Sequence, residues 1–232
     1  MTNFNHLVTL VQAENTQQAA KAASYMDQGV YEHADDIVKK WSTETRWTQY
    51  TGGKITRDTV VQYATQRINR SYAKHLAKKL DSIESAENAP EIKNISIRVH
   101  WTKSPTWGYN PTATVTVYYT GGGYTVETGK ASGCGYDKRS AAVASALNKI
   151  PAVLKALYQV KENALVNGYT PDAAKSYSNA DCIAYGAGYG ALPYYEGGVG
   201  ISSTLATLQA CGFTITDRDE SGKHDDFYRL EK

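Results

Sequence analysis

The sequence has little cysteine and no long apolar run, and both absences narrow what the chain can be. Cys134, Cys182 and Cys211 are odd in number and far apart in 232 residues, which predicts reduced thiols in a cytoplasm. The chain has no Cys-x-x-Cys pair and its five histidines are dispersed, so we expect no metal site and no cofactor. No stretch approaches the ~20 apolar residues that span a bilayer, and the N-terminus lacks the features of a signal peptide. We therefore expect a cytoplasmic protein without a membrane partner.

The charge is unevenly distributed, although the net charge is only +2. Residues 54–161 hold 16 Lys and Arg against 7 Asp and Glu, a balance of +9, whereas residues 1–53 come to −2 and residues 162–232 to −5. A basic middle between acidic ends indicates that the middle contacts something anionic.

Hydrophobic periodicity predicts an α+β fold. N-terminal helices are expected over residues 5–27 and 31–41, followed by a central helix–strand–strand–strand–helix unit. Short connections favour an antiparallel sheet of three strands in that unit. We divide the chain into an N-terminal helical segment (1–53), a central α-β-β-β-α domain (54–161) and a Gly/Tyr-rich C-terminal helix–hairpin unit (176–232).

The helix that opens the central unit reads "TRDTVVQYATQRINRSYAKHLAKKLDSIES", with Thr56 as its cap. Apolar residues at spacings of three and four form one face, and basic residues form another: Arg67, Arg70, Lys74 and Lys78. From Lys54 to Leu80 there are seven basic residues and one acid. Few i,i+4 ion pairs can form within such a helix, so the charge is left for a partner.

Three strand signals follow, "NISIRVHW", "TATVTVYYT" and "YTVETGKA". The loop between the first two, "TKSPTWGYNP", is rich in aromatic residues and proline. It supplies three further candidate partner contacts, Lys103, Trp107 and Tyr109.

The segment "GCGYDKRSAAVASAL" resembles the signature of the double-stranded RNA-binding domain, in which a glycine-rich turn precedes two basic residues and an alanine-rich helix. Gly133 and Gly135 match the glycines, and Lys138 and Arg139 match the basic pair. The element order over residues 56–158 is also that of the family.

The resemblance implies that Lys138 and Arg139 contact phosphates across a major groove, while the first helix and the first strand–strand loop enter minor grooves. Two features depart from the family pattern. Ala142 stands where a third basic residue usually follows, and "SPTWGYNP" replaces a Gly-Pro-His-type loop.

Three other motifs are incomplete. "YEGGVGISST" has the glycines of a phosphate loop, but Ile201 stands where the lysine belongs, so nucleotide hydrolysis is disfavoured. "GAGYGA", residues 186–191, has no strand–helix unit around it. "DRDESG", Asp217 to Gly222, begins like an EF-hand loop, but Tyr228 occupies the position of the bidentate Glu, so a hairpin tip is expected there.

The leading hypothesis is a non-catalytic binding protein that docks on structured RNA, DNA or a ribonucleoprotein. The small Tyr/Gly-rich chain without an enzyme motif resembles accessory proteins of phages and mobile elements, which act in a bacterial cytoplasm. A second hypothesis is an inhibitor that binds a host defence enzyme, as anti-CRISPR proteins do. A third is a metal-dependent hydrolase that uses carboxylates of the tail: Asp217, Asp219, Glu220, Asp225 and Asp226. The oligomeric state is left open.

Overall fold

The computed structural model describes residues 4–43, 55–104, 108–131, 139–168, 202–220 and 225–232. The helices in these ranges are α1 (Asn5–Ser42), α2 (Arg57–Glu87), α3 (Arg139–Leu147), α4 (Pro151–Val166) and α5 (Ser202–Ala210). The strands are β1 (Ile92–Ser104), β2 (Gly108–Tyr119), β3 (Tyr124–Lys130), β4 (Thr214–Asp219) and β5 (Asp225–Glu231). Within these ranges, no helix has both the length and the apolar character needed to cross a membrane.

The α+β class predicted from the sequence is confirmed, and so is the antiparallel pairing of β1, β2 and β3. The expected sheet of three strands is too small, however. The C-terminal hairpin of β4 and β5 forms as predicted, but β5 also pairs with the free edge of β1. The described sheet therefore has five strands in the order β3-β2-β1-β5-β4. The pairing satisfies the backbone groups of β1 on both sides, which an edge strand cannot do.

The N-terminal helices are also corrected. Instead of two helices over 5–27 and 31–41, a single α1 runs through Asn5–Ser42 and includes Gly29. One glycine in a helix interior costs only about 1 kcal/mol relative to alanine, which is too little to interrupt an otherwise helical sequence.

By its contacts, the chain divides into two units, and these cross the segment bounds expected from sequence. Unit 1 comprises Met1–Thr9 and Lys79–Lys232, and unit 2 comprises Leu10–Lys78. Unit 2 has a small apolar core around Val60 of α2, whose neighbours include Ile37, Val38, Trp41, Ile55, Val61 and Ala64. The predicted cap of α2 is present, since the Thr59 N–H donates to Thr56 Oγ1 at 3.2 Å.

Alternate residues of the strands in unit 1 are buried under the helices. The register of the strands places these side chains on one face: Ile95, Ile97, Val99, Ala113, Val115, Val117, Tyr228 and Leu230. Helix α3 packs on β2 and β3 from this side. At Gly129 of β3, a Cβ would lie 2.0 Å from the Ala142 carbonyl oxygen, so α3 can approach the strand because residue 129 has no side chain.

A carboxylate from α4 caps the start of α1 within unit 1. Glu162 is buried, and it accepts from the Leu7 N–H at 2.8 Å and from the His6 N–H at 3.0 Å. Its Oε1 also lies 2.7 Å from His6 Nδ1. These contacts satisfy N–H groups that the first turn of a helix leaves without partners.

Candidate nucleic-acid interface

The predicted basic stripe of α2 is present in unit 2. Arg67, Arg70, Lys74 and Lys78 are all exposed, and at 100° per residue they fall on one side of the helix. The stripe is about 17 Å long at ~1.5 Å per residue. Among the described residues, none of the four side chains makes a hydrogen bond or ion pair.

Between Arg67 and Lys78 the stripe contains no acid, and the first acid on its side of α2 is Asp81, three residues after Lys78. Asp58, the acid in the first turn of α2, lies about 180° around the helix from Arg67 at 100° per residue. A row of four cations without ion-pair partners among the described residues suits a polyanion, since a nucleic acid offers regularly spaced phosphates. The arrangement supplies positive charge and hydrogen-bond donors.

The aromatic loop between β1 and β2 is described only in part. Lys103 and Tyr109 lie in strands and not in the predicted loop, because β1 continues to Ser104 and β2 begins at Gly108. The register of the sheet pairs the backbones of these two residues. Trp107 lies outside the described residues, as do Gly133, Gly135 and Lys138. The roles expected for Lys103, Trp107, Tyr109 and Lys138 stay predictions.

Arg139, at the start of α3, already has a carboxylate partner within the fold. Its guanidinium donates to Asp226 Oδ2 at 2.7 Å, with 20% of the Arg139 side chain and 2% of the Asp226 side chain exposed. A role for Arg139 in contacting phosphate stays a prediction, but its guanidinium is committed to neutralising a buried acid.

The sequence held a signal for this ion pair. Asp226, Tyr228 and Leu230 alternate along β5 and are all buried, so the strand period of two places the acid on the apolar face. A buried acid needs a cation, and Arg139 at the start of α3 provides it.

A second polar network surrounds the Tyr228 hydroxyl. This hydroxyl donates to Glu220 Oε1 at 2.5 Å, and Arg218 donates to Glu220 Oε2 at 2.8 Å. The hydrogen bond from Tyr228, followed by that from Arg218, lowers the pKa of Glu220. Burial and the bond to Glu220 raise the pKa of Tyr228, so the phenol remains a donor.

The face of the sheet opposite α3 is the feature that sequence reasoning missed. We call it the open face, and define it by these residues, which the register places side by side: Asn94, Ser96, Arg98 and His100 on β1; Thr112, Thr114, Thr116 and Tyr118 on β2; Tyr124, Val126, Thr128 and Lys130 on β3; Asp225, Phe227, Arg229 and Glu231 on β5; Asp217 and Asp219 on β4. A signal was present in the sequence. Tyr118, Tyr124 and Phe227 alternate with the core-facing residues of their strands, so the strand period of two places three aromatic rings on the face away from the core.

Aromatic rings and cations are adjacent on the open face. The Tyr118 and Tyr124 rings lie 5.9 Å apart, and the two side chains are 41% and 66% exposed. The Arg98 guanidinium lies over the Phe227 ring at 5.5 Å. Between these pairs is a depression of about 360 Å³ lined by Asn94, Ser96, Tyr118, Phe227 and Arg229.

The carboxylates of the tail do not assemble a metal site in the part of the chain that the structure describes, where no group of three suitable ligands occurs. Asp225 and Asp226 are adjacent in β5 and lie on opposite faces. Asp225 bonds His100 at 2.6 Å, and Asp226 and Glu220 have the cationic partners described above. The phosphate-loop-like glycines and "GAGYGA" lie outside the described residues.

No family model matches this chain, and neither does any curated protein or solved structure. Its function must therefore be inferred from its own residues.

Proposed function

We propose that this chain is a non-catalytic binding protein that docks on structured nucleic acid, free or within a ribonucleoprotein, through the basic stripe of α2. The observation that carries the proposal is the set of four exposed cations, Arg67, Arg70, Lys74 and Lys78, which have no hydrogen-bond or ion-pair partner among the described residues. In the proposal the protein acts in a bacterial cytoplasm as an accessory factor of a phage or mobile element.

The physical case rests on charge and spacing. A row of cations about 17 Å long meets several phosphates of a duplex, and each neutralised phosphate releases condensed counterions. The excess positive charge of residues 54–161 adds a longer-range attraction to the same partner. Such contacts hold a protein on a backbone without reading base sequence.

The basic middle of the chain favours a protein that binds nucleic acid, because an inhibitor that mimics DNA would be acidic. The remaining predicted contacts would add to the interface from the ends of β1 and β2, from the residues between these strands and from the segment before α3: Lys103, Tyr109, Trp107 and Lys138. Arg139 contributes less directly in this proposal, because its guanidinium holds Asp226.

The test is a titration of the full chain into labelled duplex RNA and duplex DNA of about 20 bp, slightly longer than the ~16 bp footprint of a double-stranded RNA-binding domain. We expect Arg70→Ala/Lys74→Ala to weaken binding at least tenfold at low salt, since a charge-assisted contact contributes about 1.5 kcal/mol or more.

The matched control is Lys39→Ala/Lys40→Ala, which removes two exposed cations from α1 in the same unit and should leave the affinity within about twofold, because most exposed charges make no specific contact. Absence of binding to either duplex, or equal losses in the two variants, would overturn the proposal. In that event the protein-directed inhibitor becomes the next hypothesis to test.

A further inference from the structure

The open face of the sheet in unit 1 contains a second candidate site, separate in sequence and in chemistry from the α2 stripe. Its centre is the depression of about 360 Å³ between Tyr118 and Phe227. This volume falls in the range of about 300–1,000 Å³ that is usual for small-ligand pockets. This depression, which we call the recess, is shallow and lies on the surface of the strands, so one unit of a longer chain-like ligand can enter it.

The recess contains a largely buried polar side chain whose amide stays available to a ligand. Asn94 is only 8% exposed, and its amide makes no hydrogen bond to any other described residue. An amide offers both a donor and an acceptor, and Ser96 adds a hydroxyl beside it. Together these groups match the edge of a nucleobase.

Aromatic rings border the same recess. Tyr118 stands on one side and continues into the exposed ring of Tyr124, while Phe227 stands on the other side with the Arg98 guanidinium over it. Exposed aromatic rings beside cations are the surfaces on which single-stranded bases stack. A duplex keeps the faces of its bases within its own stack and cannot use them in this way.

Charge defines which part of the open face suits a phosphate backbone. The open-face positions of β1, β2 and β3 include Arg98 and Lys130 and no acid. The acids lie on β4 and β5, where Glu231 is 3.4 Å from Arg229. An anionic strand would therefore run over β1–β3 and avoid the edge formed by β4.

We propose that the open face binds single-stranded nucleic acid, with one base held in the recess between Tyr118 and Phe227 and its edge bonded by Asn94 and Ser96. Arg98 lies beside the recess on β1, where it can contact a flanking phosphate, whereas Arg229 is paired with Glu231. The proposal rests on the proposed function only in assigning nucleic acid as the ligand, since the α2 stripe belongs to unit 2 and recognises a backbone rather than a base.

The test uses the full chain and labelled oligo(U) and oligo(dT) of about 12 nucleotides, within the usual ~4–16 nucleotide site, with anisotropy as the readout. Tyr118→Ala should raise Kd about 5- to 150-fold, the range that corresponds to the ~1–3 kcal/mol contributed by stacking one base. Asn94→Ala should also weaken binding, and Tyr118→Phe should retain it because the ring remains. Val166→Ala removes an exposed apolar side chain of α4 in the same unit but outside the open face, and serves as the matched control.

Several results would overturn the inference. These are no binding of either oligonucleotide, unchanged affinity in a Tyr118→Ala variant that circular dichroism shows to be folded, and a mononucleotide such as UMP binding as tightly as the oligonucleotides. Single-strand binding that is lost only in Arg70→Ala/Lys74→Ala would overturn the recess and leave the proposed function standing. Single-strand binding that depends on Tyr118, together with duplex binding that does not depend on Arg70 and Lys74, would overturn the proposed function and leave the recess standing.

Discussion

The Arg139 guanidinium lies 2.7 Å from the carboxylate of Asp226, and only 2% of the Asp226 side chain is exposed. This ion pair joins the start of α3 to β5, which is separated from it by more than 80 residues of sequence. The pair assigns Arg139 a structural role that the basic Lys138–Arg139 motif alone does not indicate.

Removal of Arg139 should destabilise the fold strongly. We expect Arg139→Ala to lower the free energy of unfolding by about 3–5 kcal/mol, because it leaves a buried carboxylate without its cation. Urea denaturation measures this. Arg229→Ala breaks a pair in which both side chains are about half exposed, and should cost ~1 kcal/mol or less. Equal costs for the two variants would contradict the structural role of Arg139.

The expected destabilisation by Arg139→Ala also affects the interpretation of binding data. Loss of nucleic-acid binding in a variant that lacks Arg139 could follow from unfolding, so Lys138→Ala alone is the cleaner test of the resemblance to the double-stranded RNA-binding domain.

Gly129 should tolerate no side chain. Gly129→Ala would place a Cβ 2.0 Å from the Ala142 carbonyl oxygen and 2.5 Å from the Ala146 nitrogen. Because both atoms belong to the α3 backbone, α3 or β3 must move, and we expect a loss of at least ~3 kcal/mol in unfolding free energy. Gly121→Ala, at a turn position with nothing within 4 Å, should change stability by less than ~1 kcal/mol. A Gly129→Ala variant as stable as Gly121→Ala would show that α3 does not lie against β3 at this point.

The cap that α4 provides to α1 can be tested through Glu162. Glu162→Gln retains an acceptor but loses the charge that faces the Leu7 and His6 N–H groups. We expect it to reduce stability by about 1 kcal/mol, and Glu162→Ala by about 2 kcal/mol, in line with known losses of helix caps. Thermal or urea unfolding gives these values. No change in either variant would show that the cap contributes nothing to stability.

The bond between Tyr228 and Glu220 should produce an acid-dependent contribution to stability. The pKa of Glu220 is lowered from its ordinary value of 4.5, first by the hydrogen bond from Tyr228. A carboxyl with a depressed pKa in the folded state stabilises the fold fully above that ordinary value, and the contribution disappears as pH falls through the folded-state pKa. Tyr228→Phe should therefore be more destabilising at about pH 7 than at about pH 3.

The control for this pH effect is Tyr119→Phe, which removes a neutral hydrogen bond to Thr125 and should cost about the same at both pH values. Parallel pH profiles for Tyr228→Phe and Tyr119→Phe would exclude the proposed coupling to Glu220.

Local sequence patterns predicted the elements well and their assembly less well. The alternation of Ile95, Ile97 and Val99 with polar residues was sufficient to identify β1 and its buried face. No local pattern indicates that β5 pairs with β1, because these strands are more than 120 residues apart in sequence. The extension of the sheet from three strands to five follows from that distant pairing.

The two candidate sites differ in the same way in how far they could be predicted from the sequence. The α2 stripe was predictable because its residues lie within three helical turns of each other. The open-face recess brings Asn94, Tyr118 and Phe227 together from three strands. In the sequence, the aromatic residues of this face appear only as exceptions at strand positions where polar residues are expected.

The most direct test of the central claim is the salt dependence of duplex binding by the wild-type protein and by Arg70→Ala/Lys74→Ala. The slope of log Kobs against log salt is about −0.9 per neutralised phosphate for B-DNA. If the α2 stripe contacts the backbone, the variant's slope should be shallower by about 2, while Lys39→Ala/Lys40→Ala keeps the wild-type slope. Identical slopes for the wild type and Arg70→Ala/Lys74→Ala would show that the stripe does not meet phosphates.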